Sequence, residues 1–252
     1  MQANEVKGAT ALVTGASRGF GRGIAAALSG AGAAVVGVAR DGAALDELRA
    51  ELGDSFIPVS ADAADPTVAG QLIDAYRPGI LVLNAGAAPL SRPLQQHTWQ
   101  TFSRNWDVDV QQVFHWLREA LLAPLAPGST VITMSSGAAL RGSPLSGGYA
   151  GSKATIRFIT SYAAAESERG GLGIRFISVL PQLTPATELG AAAVAAYAER
   201  QGMDVASYTE SLGPALTPDL VGKAVLDLVE SPVPGDGAEA YLVTAGGVRP
   251  AP

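Results

Sequence analysis

The sequence predicts an α/β domain in which a doubly wound parallel sheet of about seven strands carries helices on both faces. Three observations lead there. Short runs rich in Val, Ile and Leu alternate with longer segments of helical period, the pattern of strands buried between helix layers. The first of those runs enters a glycine-rich turn that opens directly into a helix. A chain of 252 residues with 48% hydrophobic and 16% charged side chains can build one large core, and no linker, fixed-period repeat or charge run divides it.

The elements follow in order. Ala9 to Val13 is the first strand, and Gly19 to Ala31 a helix with Ile24, Ala27 and Leu28 on one face. Ala33 to Ala39 is the second strand, entered through a glycine turn. Asp41 caps a helix ending near Leu52, Phe56 to Val59 is a short third strand, and Asp65 opens a helix from Pro66 to Tyr76 with proline in its first turn. Ile80 to Leu83 is the fourth strand. A long helix from Trp99 to Leu122 carries Phe102, Trp106, Val110, Val113, Phe114, Leu117 and Leu121, a stripe wide enough for a core on one side and a subunit on another. Thr130 to Met134 is the fifth strand, Tyr149 to Glu168 a helix, Ile174 to Val179 the sixth strand, Pro218 to Glu230 a helix and Ala240 to Val243 the last strand. Thr184 to Leu216 is alanine-rich, broken by Gly190, Gly202, Gly213 and Pro214, and fits neither a strand nor a simple crossover.

Composition excludes several functions. Seventeen basic against twenty-three acidic side chains give a net charge of −6, and without a basic block nucleic acid is not an expected partner. There is no cysteine, hence no disulfide, thiol nucleophile or thiolate metal site, and two isolated histidines, His97 and His115, do not make a metal site. Mean hydropathy is +0.23, yet the uncharged stretches are interrupted by Gly30, Gly32 and Gly37 or by Pro124, Pro127 and Gly128, so neither reads as a membrane span. Met1 to Gly8 lacks an apolar leader segment, and a soluble cytoplasmic protein is expected.

The candidate chemistry begins at Thr14, Gly15, Ala16, Ser17, Arg18, Gly19, Phe20 and Gly21. Glycines there let the backbone approach a pyrophosphate at a helix N-terminus; the alternative is a plain turn. Tyr149 and Lys153 stand four residues apart, so phenol and ammonium share a helix face. Ser136 follows the fifth strand and Asn84, Ala85 and Gly86 follow the fourth, all at the strand ends where open parallel sheets bind ligands. His115 reads as a core or interface residue, and Trp99, Trp106 and Trp116 as packing. Arg141 and Ser143 either border a substrate or form a solvated loop.

Taken together, the turn at Thr14 to Gly21, the Asn84-Ala85-Gly86 run, Ser136, Tyr149 and Lys153 resemble the short-chain dehydrogenase/reductase family over nearly the whole chain. That resemblance implies a Rossmann-like fold and a nicotinamide cofactor. It places Gly15, Ser17, Arg18, Phe20 and Gly21 around the cofactor phosphates or ribose, Asp62 and Ala63 at the adenine, and Asn84, Ala85 and Gly86 beside the nicotinamide ribose. Pro181 and Gln182 fall near the nicotinamide. Asp62 also reads as a turn or cap aspartate. Two departures stand out. Asp109 occupies the position where the family usually has the asparagine that holds a water behind the lysine, and a carboxylate accepts only. Gln182 replaces the usual glycine after Pro181, and points either toward the nicotinamide or to solvent.

The implied reaction interconverts a carbonyl and a secondary alcohol. A phenol is a poor base near neutrality, but an ammonium about 5 Å away in an effective dielectric of about 20 favours the phenolate by roughly 3 kcal/mol. Tyr149 is then the proton donor in reduction and acceptor in oxidation, Ser136 holds the substrate oxygen, and Lys153 also holds the ribose hydroxyls. Other readings are a nucleotide-binding sensor or scaffold with little turnover, and an epimerase or dehydratase on the same fold. For the cofactor, the second strand ends in Val38, Ala39 and Arg40, with no acidic residue where an NAD-selecting carboxylate would stand. Arg40 and Arg18 are expected to converge on the 2′-phosphate of NADP (NADPH), with Asp41 capping the next helix. The 184–216 segment suits a substrate lid, and the family resemblance implies a homodimer or homotetramer through the long helix and the helix from Tyr149.

Overall fold

The computed structural model of the chain describes residues 5–230 and 239–252; Met1 to Asn4, which begin the segment expected to carry no leader, lie outside the described residues. Eight strands form one sheet in the order β3-β2-β1-β4-β5-β6-β7-β8. They are β1 Thr10–Thr14, β2 Ala34–Ala39, β3 Phe56–Ser60, β4 Ile80–Leu83, β5 Thr130–Met134, β6 Arg175–Pro181, β7 Ala240–Thr244 and β8 Gly247–Pro250. The first seven are parallel and β8 is antiparallel to β7. The sheet therefore has one strand more than the seven expected. The cause is local: Thr244 pairs with Gly247 across Ala245 and Gly246, a two-residue loop that only a hairpin uses, and Gly247 takes φ 123°.

Alternation along the strands sends side chains to two helix layers. Ala11, Val13, Val35, Ile80 and Val82 pack under α1 (Gly19–Gly30), α2 (Gly42–Leu52) and the helix Pro218–Glu230. Leu12, Val36, Val38, Leu81 and Val131 face α3 (Pro66–Tyr76) and the segments that follow it. Because β1 lies between β2 and β4, the chain winds away from it in both directions, and a cleft opens at the C-terminal ends of β1 and β4.

The expected long helix from Trp99 to Leu122 is continuous, and it carries a π-helical turn (Trp106–Val110) between α4 (Trp99–Asn105) and α5 (Gln111–Leu122). Trp116 is buried as expected, whereas Trp99 is 77% exposed and Trp106 is also exposed, so the reading of all three tryptophans as packing holds only for Trp116. The short α6 (Ala138–Arg141) precedes α7 (Tyr149–Gly170). The alanine-rich segment folds as α8 (Glu188–Gln201) and α9 (Val205–Ser211), packed on each other through Val194, Ala198 and Tyr208, and Pro218–Glu230 is α10. Among the described residues, no helix is long and apolar enough to cross a membrane.

Candidate active site

The glycine turn leaves β1 and enters α1. Gly15 has φ 67°, and a Cβ on it would stand 2.8 Å from Ala85 Cα, so any side chain there collides with the loop after β4. Arg18, the N-cap of α1, makes no side-chain cap hydrogen bond, and the first turn of α1 contains no acidic residue. The first-turn N–H groups and the positive end of the helix dipole thus meet no acidic side chain of α1 itself, which fits a dinucleotide pyrophosphate.

A buried polar network fixes this turn against the next loop. Thr14 Oγ1 donates to Gln112 Oε1 at 2.7 Å and accepts from the N–H groups of Asn84 and Ala85 at 2.9 and 3.1 Å. Asn84 Nδ2 donates to the carbonyls of Thr14 and Gly15 at 3.1 and 3.2 Å, and Gln112 Nε2 donates to Ala85 O at 3.1 Å. Gln112 was not singled out in the sequence, where it is one of two adjacent glutamines in a helix.

At the catalytic end, α7 presents Tyr149 and Lys153 side by side, with the Lys153 Nζ 5.5 Å from the centre of the Tyr149 ring. Lys153 is buried and donates to Met134 O at 3.0 Å, while Ser135 Oγ donates to its carbonyl at 2.7 Å. Ser136 Oγ accepts from Ala138 N–H at 3.2 Å, which leaves its own proton for another acceptor.

Asp109 completes the group. The π turn carries it into the interior, where its side chain is 1% exposed; π turns of this kind occur mostly at functional sites. Its Oδ1 accepts from Ala87 N–H at 2.8 Å, and its Oδ2 lies 3.1 Å from Lys153 Nζ. Asn105, one turn earlier and also buried, donates to Ala87 O at 2.7 Å. Gly86 makes room for this carboxylate: a Cβ there would meet Asp109 Oδ2 at 2.9 Å. Burial is the largest influence on Lys153 and works against its charge, but the Asp109 carboxylate and the Tyr149 phenol together outweigh it and raise the lysine pKa.

The remaining candidates are placed as follows. Arg40 is exposed at the end of β2 and makes no ion pair among the described residues. Asp41 caps α2, its Oδ1 accepting from Ala44 N–H at 3.2 Å, as expected. Arg18 pairs with Glu188 of α8. Asp62 Oδ1 accepts from Ala64 N–H at 3.0 Å, the turn role, and Ala63 O accepts from the fully buried Trp116 Nε1 at 2.9 Å. Gln182 Nε2 donates to Pro214 O at 3.4 Å, an exposed contact with the far end of the 184–216 segment. Ser143 and Tyr197 share a hydroxyl contact between the loop before Tyr149 and α8, and Arg141 is exposed. His97 is held by Thr101 Oγ1 and Arg92 O, and among the described residues no cluster of three side chains could hold a metal ion.

A dinucleotide cradle beside a serine, a phenol and a buried ammonium defines a nicotinamide-dependent oxidoreductase. The sequence model described as short chain dehydrogenase matches residues 9–198, and the chain belongs to that family. It is 35% identical over 178 residues to a short-chain type dehydrogenase/reductase of Sinorhizobium fredii, covering 68% of each chain. It is 33% identical over 181 residues to the L-xylulose reductase of Bos taurus, covering 71% of this chain and 73% of that one. Among solved structures, the 3-ketoacyl-(acyl-carrier-protein) reductase of Brucella melitensis, complexed with NADH, matches with a TM-score of 0.74 at 26% identity, over 90% of this chain and 92% of that one.

Proposed function

We propose that the protein interconverts a small-molecule carbonyl and a secondary alcohol with NADP(H), with Tyr149 as the proton donor and acceptor. The observation that carries this reading is the Tyr149 phenol with the Lys153 ammonium 5.5 Å from its ring, on a helix that Ser135, the neighbour of Ser136, holds through the Lys153 carbonyl. When bound, the nicotinamide supplies or accepts the hydride. In reduction, Tyr149 gives its phenolic proton to the carbonyl oxygen; in oxidation it takes the proton back from the alcohol. Ser136 donates to the same oxygen and positions it. Lys153 holds the ribose hydroxyls and keeps a positive charge beside the phenol. Asp109 holds that ammonium and, through Ala87 N–H, the loop that supports the ribose. The relative named a xylulose reductase and the neighbour named a ketoacyl reductase support a carbonyl as the oxidised substrate.

The neighbour's complex holds NADH, so the choice of NADP(H) rests on this chain's own residues. Ala39 supplies no carboxylate against a 2′-phosphate, Asp41 is engaged as a helix cap, and Arg40 stands exposed at the strand end. The 184–216 segment, joined to the loop before Tyr149 through Ser143 and Tyr197, serves as the substrate lid of a single domain. Exposed Phe114 on α5 and Phe158 and Tyr162 on α7 form the face on which a second copy pairs. Titration with both reduced cofactors tests the cofactor choice. NADPH is expected to bind more tightly, and Arg40→Ala to weaken it roughly ten- to a hundredfold with little change for NADH, as loss of one charge-assisted contact requires. Equal affinities in the native protein would overturn it.

A further inference from the structure

Glu188 is the first residue of α8, at the end of the lid that meets the glycine turn. Its Oε2 lies 2.5 Å from Arg18 Nη1, across 170 residues of sequence, and both side chains are about three-quarters exposed, 78% and 75%. The neighbouring Thr187 sits on the turn itself: its Cγ2 is 3.7 Å from the position a Cβ would take on Gly19. Thr187 also caps α8 by accepting from Gly190 N–H at 3.0 Å, so the lid's first turn is ordered where it rests on the cofactor cradle. Of the two arginines read as phosphate ligands, Arg40 therefore has no carboxylate partner among the described residues, and Arg18 has one.

We propose that Glu188 is a specificity-determining residue that competes with the adenosine 2′-phosphate for Arg18. This rests on the reading of the cofactor as NADP(H). Glu188 holds Arg18 through one Nη1–Oε2 contact, whereas a phosphate takes the paired N–H groups of a guanidinium in the bidentate geometry that makes such contacts strong. A carboxylate left beside a phosphate dianion would repel it, so the phosphate must displace Glu188 from Arg18. NAD(H) carries no phosphate at that position and binds with the pair intact. An exposed ion pair restrains its partner by no more than about fivefold, which sets the size of the competition. The exchange also removes one tie between α8 and the glycine turn, while Thr187 still rests on Gly19 and Tyr197, further along α8, stays joined to the loop before Tyr149 through Ser143.

Dissociation constants of NADPH and NADH, measured on the native protein, Glu188→Gln, Arg18→Ala and the double variant, test this. Glutamine keeps the shape of an exposed side chain and removes only the charge. Glu188→Gln is expected to tighten NADPH about two- to fivefold without a matching gain for NADH, and to have no effect on NADPH once Arg18 is alanine. Unchanged NADPH affinity, or an equal gain for both cofactors, would overturn the competition. Arg18→Ala alone separates the two levels. If it leaves NADPH binding intact, the assignment of Arg18 to the phosphate is wrong; if it weakens NADPH while Glu188→Gln changes nothing, only the role of Glu188 is wrong.

Discussion

Replacing Asp109 with asparagine removes one negative charge from the catalytic group while keeping an oxygen to accept from Ala87 N–H. The Lys153 ammonium, 5.5 Å from the Tyr149 ring centre, favours the phenolate by about 3 kcal/mol in an effective dielectric of 20. Asp109 Oδ2 is 3.1 Å from that ammonium and so lies within about 9 Å of the ring centre at any angle, which opposes the phenolate by at least ~2 kcal/mol. The carboxylate thus cancels well over half of what the lysine provides. In alcohol oxidation Tyr149 accepts the proton, so Asp109→Asn is expected to raise kcat/KM in that direction at neutral pH by about tenfold or more. Burial works against the Lys153 charge, and in the variant the bond to Met134 O and the Tyr149 phenol remain to hold it. The assay is kcat/KM for alcohol oxidation at neutral pH in both proteins. An unchanged kcat/KM would refute the reasoning, and a lower one would show that Asp109 sustains the ammonium instead of masking it.

Further expectations concern the supports of the site. Lys153→Met leaves Asp109 buried without its partner and should cost about 3–5 kcal/mol of stability, part of which Asp109→Asn recovers in the double variant; additive losses in thermal unfolding would contradict a coupled pair. Because the folded-state pKa of Lys153 is raised, its contribution to stability is full below about pH 10.4 and is lost as pH rises through the raised value, so Lys153→Met should abolish this alkaline decline. Trp116→Phe removes the donor to Ala63 O and should raise KM for the cofactor while kcat stays within a few-fold, at a stability cost of about 1–3 kcal/mol; a fall in kcat at unchanged KM would contradict a role at the adenine end.

What could be read from the sequence was local. Asp41 and Asp65 cap the helices they precede because a short carboxylate reaches the N–H groups two or three residues on, and Tyr149 and Lys153 meet because helical neighbours four apart share a face. The strands β4 and β5 and the helices α3 and α10 fall within the expected limits for the same reason. What escaped depends on partners far along the chain. Trp116 reaches Ala63 across 53 residues and Gln112 reaches Thr14 across 98, and neither contact leaves a spacing to detect. The π turn around Asp109 lies within a segment whose apolar stripe reads as regular α-helix, and its inward carboxylate is matched by Ala87 N–H and Lys153, not by neighbours in sequence. Trp99 and Trp106 are exposed although a large aromatic signals burial on average, because that average does not specify a particular helix face. Glu188 opens α8, and only the fold sets it against Arg18, 170 residues away.

The most direct measurement follows NADPH consumption with a panel of small ketones and aldehydes, in the native protein and in Tyr149→Phe, with NADPH binding titrated in both. The native protein should oxidise NADPH with at least one of these substrates. Tyr149→Phe should lose roughly a hundred- to ten-thousandfold of that rate while binding NADPH within about twofold of the native protein, because it removes a proton donor and no phosphate contact. Turnover in Tyr149→Phe within a few-fold of native would contradict the assignment of Tyr149 as the acid, and tight NADPH binding with no consumption across the panel would make the protein a nucleotide binder and not a carbonyl reductase.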